Sequence, residues 1–143
     1  MSDGPKVVYT RIAAGDPDRA RRWLAAVSQL HRVGDEVAIP WQRPDTGDVT
    51  VWHLASRNHR TLARGACLYG SRDDAVAAVG QITASAPELV VRLVARRHPG
   101  SYGWYATLNG NVAFTAARWF DSERSRRESI ELAFAAIGRL SHV

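Results

Sequence analysis

The 143-residue chain has the length of one domain, and its 45% hydrophobic and 23% charged residues are globular values that exclude a fibrous or extensively disordered protein. No apolar run approaches the roughly 18 residues of a membrane span. Residues 1–6 lack the charged-then-apolar pattern of a secretory signal, so a cytoplasmic location without membrane contact is expected. The net charge of +5 is almost wholly arginine, because Lys6 is the sole lysine. Guanidinium groups suit phosphate recognition, but a G+C-rich genome also favours arginine codons. Acidic residues interleave with the basic ones instead of forming a block, which favours the second explanation. A single cysteine, Cys67, excludes an intramolecular disulfide and any cysteine-rich metal site.

In chain order, residues 6–12 alternate as a strand. Asp16-Pro17 then starts a helix, an N-cap followed by proline at the first helical position. Ala20, Trp23, Leu24, Val27, Leu30 and His31 share one face of that helix, and Gly34 stops it. Residues 36–39 form a short run closed by Pro40, which suggests an edge strand. Residues 49–54 have strand composition, and residues 61–63 return antiparallel to them across a turn at Asn58-His59. Ser71 is placed as an N-cap, with Asp74 three residues on. The helix it opens carries Ala75, Val76, Val79 and Ile82 and ends near Ala84, before Ala86-Pro87.

Residues 88–95 read as the next strand, and Pro99-Gly100 turns it back. Residues 101–108 and 111–116 flank Asn109-Gly110, the strongest short hairpin signal because both residues accept positive φ. Ser122 caps a last helix with Ile130, Phe134, Ile137 and Leu140 on its apolar stripe.

The two halves resemble each other. Trp104 follows Trp52 by 52 residues, whereas Phe120 follows Tyr69, and Ser122 follows Ser71, by 51. A one-residue deletion in the second turn reconciles these offsets. The expected fold is therefore α+β: tandem β-β-β-α repeats, residues 36–87 and 88–143, form antiparallel sheet packed by helices within one compact domain. Residues 1–35 precede them as a β-α segment, either a worn third unit or a separate addition.

The first copy reads Trp52-His53-Leu54-Ala55-Ser56-Arg57-Asn58-His59-Arg60-Thr61-Leu62-Ala63-Arg64, followed by Tyr69-Gly70-Ser71, Ala75, Ala78-Val79 and Ala86-Pro87-Glu88. On these residues the repeated unit resembles the YegP-like family. The second copy keeps Asn109-Gly110, Phe120-Asp121-Ser122 and Ile130, and the first has His59 where glycine is usual. The resemblance spans about residues 36–140 and implies a compact, often dimeric α+β sandwich. It implies no activity, cofactor or catalytic residue.

No reaction is legible. His31, His53, His59, His98 and His142 show no i, i+4 pairing and no carboxylate or cysteine at ligand spacing, so neither a metal nor a cofactor is expected. His53 is expected to be structural, and His59 and His98 to lie exposed in turns. Arg64, three residues before Cys67, is a candidate for lowering the thiol pKa, although a lone buried thiol is the commoner situation. Gly-x-Ser-x-Gly and Walker-type loops are absent.

Binding has more support. Arg57, His59, Arg60 and Arg64 cluster on the first hairpin, and Arg96 and Arg97 end the following strand. Arg118, Arg124, Arg126 and Arg127 flank the start of the last helix. Alternation sends Trp104 and Tyr105 to opposite faces of their strand, so one of them is exposed, covered by the N-terminal segment, or at a dimer contact; cover or contact is favoured. Two readings follow. The first is a noncatalytic domain that mediates protein association or homodimerisation through exposed sheet or edge strands. The second is a nucleic-acid-binding module that combines the arginine-rich hairpins with sheet aromatics such as Trp104.

Overall fold

The computed structural model describes residues 4–33, 37–38, 47–96 and 101–140. Seven strands and three helices follow one another as β1 (Lys6–Ile12), α1 (Pro17–Val33), β2 (Val37–Ala38), β3 (Val49–Ala55), β4 (Thr61–Gly65), α2 (Arg72–Ala84), β5 (Val90–Ala95), β6 (Tyr102–Leu108), β7 (Asn111–Ala116) and α3 (Glu123–Leu140). The fold is α+β. Six strands lie antiparallel in the order β1-β3-β4-β7-β6-β5, and β2 lies off this path.

Local chemistry sets the ends of the elements. Asp16 Oδ1 accepts from the Arg19 amide at 3.3 Å, Ser71 Oγ from the Asp74 amide at 3.1 Å and Ser122 Oγ from the Ser125 amide at 3.1 Å. Each contact satisfies an amide that the first helical turn leaves without a partner. A single 3-10 turn, Ala86–Glu88, follows α2, which is why β5 starts at Val90 and not at residue 88.

The hairpins differ by one loop residue. Asn109 and Gly110 both adopt positive φ, 54° and 83°, as a two-residue turn requires. In the first hairpin only His59 does, at 64°, and the His59 amide donates to the Ser56 carbonyl at 2.9 Å. The Ser56 amide donates to the Arg60 carbonyl at 2.8 Å, closing a three-residue loop. This is the pattern of a tight turn followed by a left-handed residue, with histidine in a place that favours glycine. The extra residue accounts for the change of offset from 52 to 51. A bulge interrupts each hairpin at matching places, skipping Leu62 between Leu54 and Ala55 and skipping Ala113 between Ala106 and Thr107.

Two sequence expectations change. The run at residues 36–39 is not the outer strand of the first hairpin. Its described part, β2, pairs in parallel with Asn111 and Val112, the stretch of β7 that β4 does not reach. The outer position belongs to β1, which pairs with β3 from Lys6–Ala55 to Ile12–Val49. The N-terminal strand is thus a full edge of the sheet, and α1 is inserted between it and β3. Val76, expected on the apolar stripe of α2, is exposed, and the buried residues there are Ala75, Val79 and Ile82.

Both faces of the sheet are covered. Trp104 and Phe114 meet Phe134 of α3, and Trp52 and Trp104 both meet Phe114, with ring centroids 6.0–6.2 Å apart in edge-on and tilted arrangements. The Trp104 indole donates to Ser129 Oγ at 3.0 Å. On the opposite face Ile12, Val49, Val51 and Leu68 pack against Ala20, Trp23 and Leu24 of α1. Tyr105, pointing away from Trp104, is 1% exposed, and α1 packs across β6 and β7 on that side. The aromatic pair is therefore divided between the two layers of core. Among the described residues, no helix is long and apolar enough to cross a membrane.

Trp52 lies across Gly65, where an added Cβ would stand 2.3 Å from the indole nitrogen. Because Trp52 is buried in the aromatic cluster, it has nowhere to retreat. Gly65→Ala is expected to destabilise the fold by about 1–3 kcal/mol in urea unfolding, the usual cost of overpacking. His59→Gly should stabilise it by roughly 1 kcal/mol in the same measurement, by relieving a left-handed non-glycine residue.

Candidate functional site

The arginines singled out from the sequence do not form one surface. Arg57, His59 and Arg60 are exposed at the tip and exit of the first hairpin. Arg60 and Arg118 share a small cleft beside α3, about 120 Å³, with Glu128 in its wall. Arg118 stacks on Phe120 at 4.9 Å, and Arg96 covers Trp119 at 3.9 Å. Arg124 pairs with Glu128 at 3.3 Å on the exposed side of α3, where Arg127 is also exposed. Arg97 and His98 lie outside the described residues, as does His142; the side chain of His31 does too.

Two members of the set change character. Trp104 is 0% exposed and leaves no ring face on which a base could stack. Arg126, next to the exposed positions on α3, is only 8% exposed. It donates to the Val94 carbonyl at 3.1 Å, pairs with Glu123 at 3.6 Å and lies over Tyr102 at 5.4 Å, tying α3 to β5 and β6.

Arg64 faces the other way. Strand alternation puts it beside His53, its cross-strand partner, beneath α1. There the sheet and helix leave a cleft of about 420 Å³. Arg19 and Arg22 reach it from α1, His53 and Arg64 from the sheet floor, and Thr10 and Thr61 from either side. Trp23 and Val51 give it an apolar wall. The Arg64 guanidinium sits 5.3 Å from the Trp23 ring centre, and the Trp23 indole donates to the Gly65 carbonyl at 3.3 Å. Arg64 Nε is buried without a hydrogen-bond partner. Sequence reading placed Arg64 among the hairpin arginines and missed this grouping, because Arg19 and Arg22 join it only through the packing of α1. The spacing of Arg19, Arg22 and Trp23 along one helix was the available signal.

Burial, and then the Arg64 charge, hold the His53 imidazole below its ordinary value. The Cys67 thiol moves opposite to the expected effect of Arg64. Burial pushes it up to about 11, only partly offset by a hydrogen bond with Tyr69, so it is a poor nucleophile near neutrality. Among the described residues, no group of three or more histidine, cysteine or acidic side chains is placed to hold a metal.

Because His53 binds a proton less readily folded than unfolded, the unfolded chain takes up the extra proton as pH falls. Stability should therefore be full above the ordinary histidine value of 6.5 and decline from there toward the lowered folded value. In NMR titration His53 should show a midpoint below 6.5, and Arg64→Gln should move it upward. His53→Gln should reduce the loss of unfolding free energy between neutral and mildly acidic pH.

No family model matches the chain, and no solved structure matches it. Among curated proteins it is similar to an alanine racemase of Dinoroseobacter shibae, 27% identical over 150 residues. That match covers 99% of this chain but 42% of the racemase, so the chain spans less than half of the relative's length.

Proposed function

We propose that this chain is a noncatalytic domain that acts by protein association, with homodimerisation through the β5 edge as its form. The observation that carries the reading is the apolar character of that edge. The outermost strand β5 exposes Val90 at 47% and Leu93 at 58%. An exposed apolar edge strand is a template for another strand, and proteins usually guard such edges with charge, of which β5 carries Arg92 alone. The opposite edge, β1, fits that guarded type, with Lys6 and Arg11 exposed and Arg11 paired to Asp48 at 3.2 Å. Pairing β5 with its copy would extend the sheet and remove two leucines from water, each worth about 1.5–3 kcal/mol if fully buried.

The YegP-like resemblance belongs to the same proposal. Its support is the pair of hairpins with matching bulges, each followed by a serine-capped helix. Duplication of one hairpin–helix unit explains that correspondence, and dimers are common in the resembling family. Under this reading the protein is cytoplasmic and carries no cofactor.

The nucleic-acid alternative keeps its phosphate-binding half in Arg57, Arg60, Arg124 and Arg127, all exposed. Its stacking half loses Trp104 to the core. The likeness to an alanine racemase raises an enzyme reading. Racemisation at an amino-acid Cα needs groups that remove and return a proton. His53 is the cleft residue suited to that work, and we expect no interconversion of L- and D-alanine.

Sedimentation equilibrium at micromolar concentration tests the main reading. A dimer mass is expected for the native chain and a monomer mass for Leu93→Lys with an unchanged circular dichroism spectrum. A native chain that remains strictly monomeric overturns homodimerisation. Binding to generic DNA or RNA that weakens steeply with salt would favour the alternative instead.

A further inference from the structure

The cleft beneath α1 differs from the rest of the basic surface in its charge balance. Arg19, Arg22 and Arg64 contribute three guanidinium groups to one concavity, and none of the described residues that line it is acidic. The smaller cleft beside α3 has Glu128 to offset Arg60 and Arg118. Like charges converging on a partly enclosed space repel one another unless a counter-charge enters, and the low-dielectric wall strengthens the effect. Arg64 adds a second strain. Its flat face is occupied by Trp23, but its Nε hydrogen lies buried with no acceptor. A buried charged donor left unsatisfied costs more than a neutral one. An oxyanion in the cleft would supply the counter-charge and give the Arg64 guanidinium an acceptor to turn toward.

The surrounding groups describe the ligand further. Thr10 and Thr61 line the same cleft and carry hydroxyls able to donate. Guanidinium forks match the paired oxygens of carboxylates and phosphates. Trp23 and Val51 line the same space, so the ligand has an apolar side. A cavity of about 420 Å³ holds a small molecule and is too small for a folded partner.

We propose that this cleft is a binding site for a small organic anion, a carboxylate or phosphate monoester bearing an apolar group. Arg64 and Arg22 hold its oxygens, and Trp23 lies against its apolar part. The site faces α1, whereas the proposed dimer edge is β5, so it stands or falls separately from the association reading.

Amide NMR titration of the full chain tests it with three probes that share a ring: benzoate, phenyl phosphate and neutral benzyl alcohol. At least one anion should produce saturable shifts at Thr10, His53, Thr61 and Arg64 at millimolar concentration, with no saturation by benzyl alcohol. The tighter anion identifies the head group as carboxylate or phosphate. Arg64→Gln should weaken that binding about tenfold or more, the scale of one lost charged hydrogen bond. Arg22→Gln alters an exposed helix position and should also weaken binding, so it decides the matter if the Arg64 variant fails to fold. Three results overturn the proposal: neither anion saturates, benzyl alcohol binds equally well, or both variants bind like the native chain. Anion shifts confined to Arg57 and Arg60 do so too, since they would describe a diffuse basic surface suited to nucleic acid.

Discussion

The pairing of β4 with β7 is the constraint from which the other placements follow. Its register joins Ala63 to Ala116, Arg64 to Thr115 and Gly65 to Phe114. Phe114 stands 51 residues after Ala63, and Ala116 stands 51 after Gly65, so shifting both strands by that offset exchanges the two outer pairs and leaves the central one in place. The seam is its own image. The strand order then reads outward alike on both sides, β4-β3-β1 and β7-β6-β5. The bridge between Thr50 and Tyr69 has its counterpart between Tyr102 and Phe120, and these bridges lead into α2 and α3. Both helices consequently land on one face, where Trp52 and Trp104 flank Phe114.

That symmetry leaves the second face bare, and α1 is what breaks it. In a strand with Trp on one side, the next residue points to the other, which puts Tyr105 and His53 beneath α1. A single helix cannot seal six strands. It covers Tyr105 completely but leaves His53 and Arg64 only partly enclosed. The cleft is the gap between an apolar core that closes and a polar floor that does not. Its lining is basic because arginines come to it from two elements far apart in the chain, Arg19 and Arg22 from α1 and Arg64 from β4, while β3 adds His53.

What could be read from the sequence was what neighbours in the chain decide. Asn109-Gly110, Asp16-Pro17, Ser71 and Ser122 set local backbone geometry within four residues, and each does so in the fold. The partner of each strand is a different matter, since pairing energy comes from residues far away in sequence. Local pattern assigns residues 36–39 to the place beside β3 and leaves residues 6–12 in a segment outside the repeats. The seven-residue run won, because it offers a complete ladder whereas Val37 and Ala38 offer two residues. His59 shows a middle case. The turn and its extra residue are legible in the change of offset from 52 to 51, but that the histidine itself takes the left-handed position is visible only in the backbone.

Arginine usage has a third explanation besides codon bias and phosphate binding. Arg64, Arg72, Arg96, Arg118 and Arg126 each lie over an aromatic ring, those of Trp23, Tyr9, Trp119, Phe120 and Tyr102. A flat, weakly hydrated cation can cover the rim of a core while keeping its edge in water, which an ammonium group does less well. Arg72, Arg96 and Arg118 are exposed and stand as such lids, whereas the buried Arg126 spends its edge on the Val94 carbonyl and Glu123. Arg64 differs because its ring partner belongs to α1 and its edge faces a cleft with other guanidiniums in place of water alone. The same side chain that serves as a lid elsewhere is there converted into a donor without an acceptor, and that asymmetry, not the total charge, is what singles out the cleft.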